Sequence, residues 1–222
     1  MLERYTWFKQ SAFLWSDEGG PTVYVDPWGV EASDPPADLI LITHAHDDHF
    51  RPQDLERVTG PGTRLVAPHD VAKELSGDVT PVRPGESHEV AGVRFTTVPA
   101  YNIVEERLDN HPRAKDWVGF VLELEGRSHY HAGDTDHVPE LESIRADVAF
   151  LPIGGQNYTM DADEGGGLAK AMSPGLAVPV HFGFRLDDGE LVGTSADAER
   201  FRAAAAPVPV EFMTPRSPFQ DG

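Results

Sequence analysis

The chain of 222 residues has no cysteine, which excludes disulfides, thiolate metal sites and cysteine nucleophiles together. Lysine is scarce as well: there are four, and no run of basic residues occurs anywhere. Asp and Glu total 37 against 18 Lys and Arg, a formal charge of −19 that repels polyanions at long range, so no nucleic-acid partner is expected. Such acidity serves solubility first and tolerance of salt second. No apolar run approaches the roughly 20 residues that span a bilayer, so no membrane partner is expected either. The opening "MLERYTWFKQSAFLW" lacks a basic segment followed by an apolar one, and a cytoplasmic location is the expectation. No fixed-period repeat, low-complexity tract or linker interrupts the sequence, which points to one domain over residues 1–222.

What is present reads as mixed α/β. Strands are predicted over 4–8, 12–15 and 22–27, and over the apolar run "LILI" (39–42) that follows a proline-rich loop. A helix follows over 51–60, with Pro52 in its first turn and Gly60 as its stop. A strand over 63–68 and a short helix ending at Gly77 come next, then hairpins over 87–102 and 117–134. The last third alternates strand and helix: a strand over 147–153, a helix over 162–171, a strand over 176–183, a helix in "SADAERFRAAAA" and a final strand "VPVEF". Hairpins first and strand–helix units later suggest two sheets packed together with helices outside. Residues 99–116, "PAYNIVEERLDNHPRAKD", form a long aperiodic connection of the kind that often carries function.

The densest chemistry is "THAHDDHF" (43–50), directly after a strand. His44 and His46 lie two apart, so in an extended segment both point the same way. Asp48 and His49 arrive as the chain turns toward the Pro52 helix. One short loop thus offers nitrogen and oxygen ligands suited to zinc, iron or manganese, at a density a hydrolytic metal needs. Later strand ends offer more: Asp134 in "HYHAGDTD" and His181 in "VPVHFG", where Gly183 permits close approach.

Taken in order, H-x-H-x-D-H after a strand, a Gly-Asp-Thr turn and a late strand ending in His resemble the metallo-β-lactamase superfamily. The set "PAYN", "HAGDTD", "LPIGG" with "YTMDA", and "PVHFG" is most similar to its branch of ascorbate-6-phosphate lactonase-like proteins and uncharacterised zinc-dependent hydrolases. The resemblance runs from Asp26 to Gly183. It implies a four-layer αββα sandwich with one or two zinc ions, or Mn or Fe, at one edge between the sheets. It further implies His44 and His46 at a first metal position, Asp48, His49 and His181 at a second, and Asp134 bridging. The family's third histidine at the first position is missing: Asn102 stands there, a weaker ligand type. His111 in the long connection is a candidate to complete that position, with an ordinary surface role as the competing expectation.

Asp26 is a candidate to orient a ligand histidine, and Tyr101, Asn157 and Tyr158 are candidate donors to a developing oxyanion. His131 is a candidate neighbour of the ligands. Gly165–Gly167, inside the predicted helix, do not form a phosphate loop because the Gly-Lys-Ser/Thr ending is absent.

The expected activity is metal-dependent hydrolysis, in which a metal-bound hydroxide attacks a small ester, lactone or phosphorylated substrate and Asp48 or Asp134 handles the proton. The alternatives are a phosphodiesterase for small or lipid-like substrates, with Arg107, Arg113, Lys115 and Arg185 supplying positive charge, and a non-catalytic metal binder whose first position has degenerated at Asn102. The partner is a small-molecule substrate, and a homo-oligomer remains open.

Overall fold

The first half of the chain builds one sheet and the second half builds another. In the computed structural model, which describes residues 2–156 and 158–221, strands β1 (Tyr5–Trp7), β2 (Phe13–Trp15), β3 (Val23–Val25), β4 (Ala37–Leu41), β5 (Thr59–Pro68) and β6 (Asp78–Val82) lie side by side in chain order. The β1–β2 and β2–β3 pairs are antiparallel; β3 through β6 are parallel. Helices α1 (Pro52–Val58) and α2 (His69–Ala72) make the crossovers on either side of β5. The second sheet follows the same plan with β7 (Ser87–Val90), β8 (Val93–Pro99), β9 (Val118–Leu124), β10 (Arg127–His131), β11 (Val148–Pro152) and β12 (Leu176–Val180). Its first four strands are antiparallel neighbours, and β10 to β12 are parallel. A small hairpin of β13 (Phe184–Arg185) and β14 (Leu191–Val192) comes next. Helix α3 (Ala162–Met172) connects β11 to β12, and α4 (Asp197–Ala205) follows the hairpin.

The alternation in β4 shows how the layers form. Leu39 and Leu41 enter a core shared with Val118, Phe120 and Leu122 of the opposite sheet, while Ile40 and Ile42 meet Leu55 and Val58 of α1 on the other face. Burying each such side chain contributes about 1.5–3 kcal/mol, and a strand that is apolar on both faces has to sit between two layers. On the far side, Leu168, Ala169 and Met172 of α3 and Phe201 of α4 cover Val148, Phe150 and Val178. The result is the αββα sandwich.

Two tight hairpins have left-handed residues at their tips, Ala91-Gly92 and Glu125-Gly126, the backbone that matches strand twist. The structure departs from the sequence reading at several places. The expected strand over 208–212 is a single bridge from Val210 to Ala177, because Pro207 and Pro209 lack the N–H groups a ladder needs. Strand β6 went unseen because Pro81 interrupts it, which an edge strand tolerates. The α2 helix stops at Ala72, short of the expected Gly77.

The triple glycine has a packing cause. Asp161 and Glu164 cap α3 reciprocally, so the helix starts firmly despite three poor helix formers. A methyl group on Gly166 would lie 2.5 Å from Ala204 Cβ and 2.8 Å from the Phe201 carbonyl, so this residue lets α4 lie directly on α3. One on Gly165 would lie 3.0 Å from Ile153, whereas one on Gly167 would approach nothing closer than 3.9 Å. Gly166→Ala is therefore expected to destabilise the protein by about 1–3 kcal/mol. Gly167→Ala is expected to stabilise it by up to about 1 kcal/mol. Denaturant unfolding of the two variants checks the pair, and equal effects would refute the packing account.

Candidate metal centre

The polar residues collect where strands end. Asp26 follows β3, the 43–49 loop follows β4, Asp134 follows β10 and His181 follows β12, so the site lies at one edge between the two sheets. The loop turns on itself through the His49 and Phe50 amides, which donate to the His46 carbonyl, and Phe50 anchors it in the core beneath α1. His181 occupies left-handed backbone (φ 59°), as does Asp26 (φ 47°). Such conformations cost energy in non-glycine residues and concentrate at functional sites. Gly154 makes room for His181: a methyl group there would come within 2.9 Å of its Nδ1.

Two groups of donor atoms converge. Those of His44, His46 and His111 all lie within 4.8 Å of one another, as do those of Asp48, His49 and His181. His44 Nε2 is 3.1 Å from His46 Nδ1 and 3.4 Å from His111 Nε2. Ligand nitrogens around a tetrahedral zinc at 2.0–2.1 Å stand about 3.3 Å apart. One oxygen, Asp134 Oδ2, sits between the groups, 3.1 Å from His181 Nε2, 3.5 Å from His49 Nε2 and 3.6 Å from His111 Nε2.

Asp26 organises this arrangement from behind. Its Oδ2 accepts from His49 Nδ1 at 2.7 Å and from the Thr43 hydroxyl at 2.6 Å, while Oδ1 accepts the Thr43 amide. Because Thr43 donates to Asp26, its oxygen is left to accept from His44 Nδ1 at 2.9 Å. Both rings therefore keep a proton on Nδ1 and turn Nε2 toward the cluster, bare in His44 and, in His49, freed of its own proton when a metal binds. His49 Nε2 and Asp134 Oδ1 are buried without a hydrogen-bond partner, as a metal's donors would be before it binds. The residues fit a metal, and the clusters form a metal-binding site.

The two groups differ electrostatically. Burial, followed by the neighbouring His49 and His111, holds His44 well below the ordinary histidine value; burial also lowers His46 and takes His111 down to about 3. All three are thereby held toward the neutral form. Around His181 burial acts in the same direction, but Asp134 and Asp48 outweigh it and raise the pKa to about 9. His49 is raised well above its ordinary value against the same burial, by Asp134, Asp48 and Asp26. Burial would raise Asp48 and Asp134, yet the cationic histidines hold both below the usual carboxylate range.

Several expected residues fall elsewhere. Asn102, expected in a ligand's place, instead donates through Nδ2 to the carbonyls of Arg107 and Tyr158, and its amide N–H holds the His111 carbonyl at 2.8 Å. His111, expected more at the surface, is fully buried in the cluster. The Tyr101 hydroxyl donates to Glu140, so it is not directed at the cluster. Tyr158 lines the cavity above the cluster, its hydroxyl on Glu190; Asn157 lies outside the described residues. His131 accepts from the Gly133 amide and meets the Ser11 carbonyl, steadying the turn that presents Asp134. Arg107 is buried and neutralised by Asp136 and Glu164, Arg113 pairs with Glu140, and Lys115 with Asp70. None of these three lines the cavity, nor does Arg185. The sequence reading missed Thr43, a single hydroxyl with no pattern to announce it. It also missed Trp117, whose ring lies 5.0 Å from those of His44 and His46.

Two outcomes follow for metal uptake. At pH 7.5 His49 and His181 are protonated in the metal-free protein and must become neutral to bind. Titration calorimetry in buffers of different ionisation enthalpy is expected to show about two protons released per chain, and affinity rising with pH up to about 9. No release would refute this charge assignment. Asp26→Asn is expected to weaken metal affinity by about 10–100-fold with the fold retained by circular dichroism.

Residues 4–181 match the family described as the beta-lactamase superfamily domain. A UPF0173 metal-dependent hydrolase of Thermoplasma acidophilum is 34% identical over 186 residues, covering 80% of this chain and 77% of the relative. One from Methanoculleus marisnigri is 36% identical over 189 residues, covering 81% and 80%. The solved structure of a Parabacteroides distasonis protein superposes with a TM-score of 0.83 at 28% identity, covering 96% of this chain and 93% of the other. With the fold, the paired histidine–carboxylate groups and these relatives in agreement, the chain belongs to the beta-lactamase superfamily, among the UPF0173 metal-dependent hydrolases.

Proposed function

We propose that the chain hydrolyses a small ester or lactone with two metal ions, zinc first among the candidates for its nitrogen-rich donor set, with Mn and Fe as the alternatives. The observation that supports this most is the meeting of two complete donor groups at one shared Asp134 oxygen, on the floor of a cavity of about 410 Å³. His44, His46 and His111 would hold one ion, Asp48, His49 and His181 the other, and Asp134 would bridge. When bound, such metals supply Lewis acidity that brings the ionisation of water toward neutral pH.

The protein's own groups do the rest. His46, Asp48, Asp134 and His181 line the cavity floor, so a substrate carbonyl that passes the mouth reaches these four side chains. Asp48, 3.2 Å from His181 through Oδ2, is placed to accept the proton of the attacking water and return it to the leaving oxygen. Asp26 and Thr43 hold His49 and His44 in one tautomer throughout, so no ring reorientation accompanies turnover. Trp117 walls the imidazoles from solvent on the far side, its indole N–H fixed on Asp70.

The competing readings lose their support at particular residues. A phosphodiesterase would draw on Arg107, Arg113, Lys115 and Arg185; the first three are paired with carboxylates, and Arg185, bonded to the Gly189 carbonyl, does not line the cavity. A degenerate binder would show a gap at Asn102, and His111 stands within that gap. The lactonase-like preference rests on the sequence resemblance, and a small-molecule partner in place of a nucleic acid suits the cavity's size and the chain's charge.

Elemental analysis after reconstitution is expected to give two metal ions per chain, with hydrolysis of aryl esters and lactones lost on chelation. His111→Ala is expected to retain one ion and to lose at least about 100-fold in kcat/KM. No metal bound in excess supply, or full activity in His111→Ala, would overturn the proposal.

A further inference from the structure

We infer that the cavity selects by charge: the portion of the substrate lying above the metal floor is cationic or uncharged and bears no anionic group. The reaction itself rests on the hydrolase reading above; the charge selection rests on the cavity rim.

Asp47, Asp187 and Asp188 line the mouth, and the cation lining it among the described residues is Arg51. That guanidinium is already paired at the rim. Nη1 and Nη2 both stand 3.1 Å from Asp187 Oδ2, and Nη1 also donates to the Asp47 carbonyl at 3.1 Å. Nε lies 3.7 Å from Asp54, and the group's flat face rests 5.2 Å from the centre of the Trp28 ring. Arg51 thus offsets one rim carboxylate, and three of its five N–H groups are already taken by Asp187 and the Asp47 carbonyl. Asp47 and Asp188 are exposed and have no cationic partner among the described residues. Glu190, in the same hairpin as Asp187 and Asp188, holds the Tyr158 hydroxyl and adds charge of the same sign beside the mouth.

Like charges lining a concave, low-dielectric mouth focus their field into it. The chain's net charge of −19 has the same sign and extends that field outward. Asp48 and Asp134 on the floor do not add to it in the metal-loaded protein, where two divalent ions would outweigh the two carboxylates. The reacting carbonyl would therefore meet a floor of positive sign while the rest of the molecule meets a negative rim. An ammonium there is drawn in, and a phosphate or carboxylate is repelled.

Three aryl esters matched in size test this, with acyl chains ending in trimethylammonium, tert-butyl or carboxylate. Turnover is measured on the metal-loaded protein, and binding of the three corresponding hydrolysis-resistant amides is measured by calorimetry. The cationic amide is expected to bind at least about tenfold more tightly than the anionic one at low ionic strength, the neutral one falling between. In about 0.5 M salt that ratio should shrink to within about threefold. The double variant Asp47→Asn with Asp188→Asn should narrow the low-salt ratio by about threefold or more. An anionic amide that binds as tightly as the cationic one, or failure of all three amides to bind, overturns the inference. Amides that bind in the expected order while no ester is turned over would instead sink the hydrolase reading and leave charge selection standing.

Discussion

A buried carboxylate is costly unless donors surround it, and Asp26 is fully buried. It recovers that cost through the Thr43 amide, the Thr43 hydroxyl and His49, and in doing so decides the orientation of two imidazoles. The direction of every bond follows from that one charge. Thr43 donates toward it, so Thr43 must accept from His44; His49 donates toward it through Nδ1, so Nε2 is the nitrogen turned to the cluster. The left-handed backbone of Asp26 is the strain that places the carboxylate there, at the end of a strand paired with the one that leads into the histidine loop. The site is thus set from behind, by the packing of β3 against β4.

Around this centre the two donor groups divide the electrostatic work. The three imidazoles at His44, His46 and His111 are held toward the neutral form by burial. The other group holds cationic histidines against carboxylates and exchanges protons for metal. Asp134 belongs to both environments, and the charge of one group therefore bears on the other. Close backbone approaches preserve the geometry: Gly154 gives His181 its space, and Gly133, also left-handed, lets the Asp134 turn pass within contact distance of Thr43.

Much of this was legible in the sequence because ligand-rich loops after apolar runs are local patterns. "THAHDDHF", the Gly133-Asp134 turn and the His181 strand end each announce themselves within a few residues, and alternation in 37–42 exposes a strand between two layers. What escaped was non-local. His111 lies in an aperiodic connection, folded inward by contacts that no local pattern announces, among them the Asn102 amide on the His111 carbonyl at 2.8 Å and the Asn102 side chain 3.1 Å from the His111 ring. Read in isolation, Asn102 looked like a lost ligand; in three dimensions it anchors the loop that supplies one. Arg107 looked like available positive charge, yet it is used up fastening the same loop to Asp136 and to Glu164 at the start of α3. The triple glycine made sense only once α4 was seen lying across it.

The division of the donors between the two sheets has a consequence for how the protein is made. His44, His46, Asp48 and His49 belong to the half that is synthesised first, whereas His111, Asp134 and His181 come from the second. A nascent chain that has emerged only as far as β6 offers an incomplete coordination sphere, and neither donor group closes until the later strands have docked. Full-strength metal capture therefore waits for residue 181 to clear the ribosome. A metal bound there would act as a clasp between halves made at different times, and its supply would then bear on the yield of folded protein as well as on its chemistry.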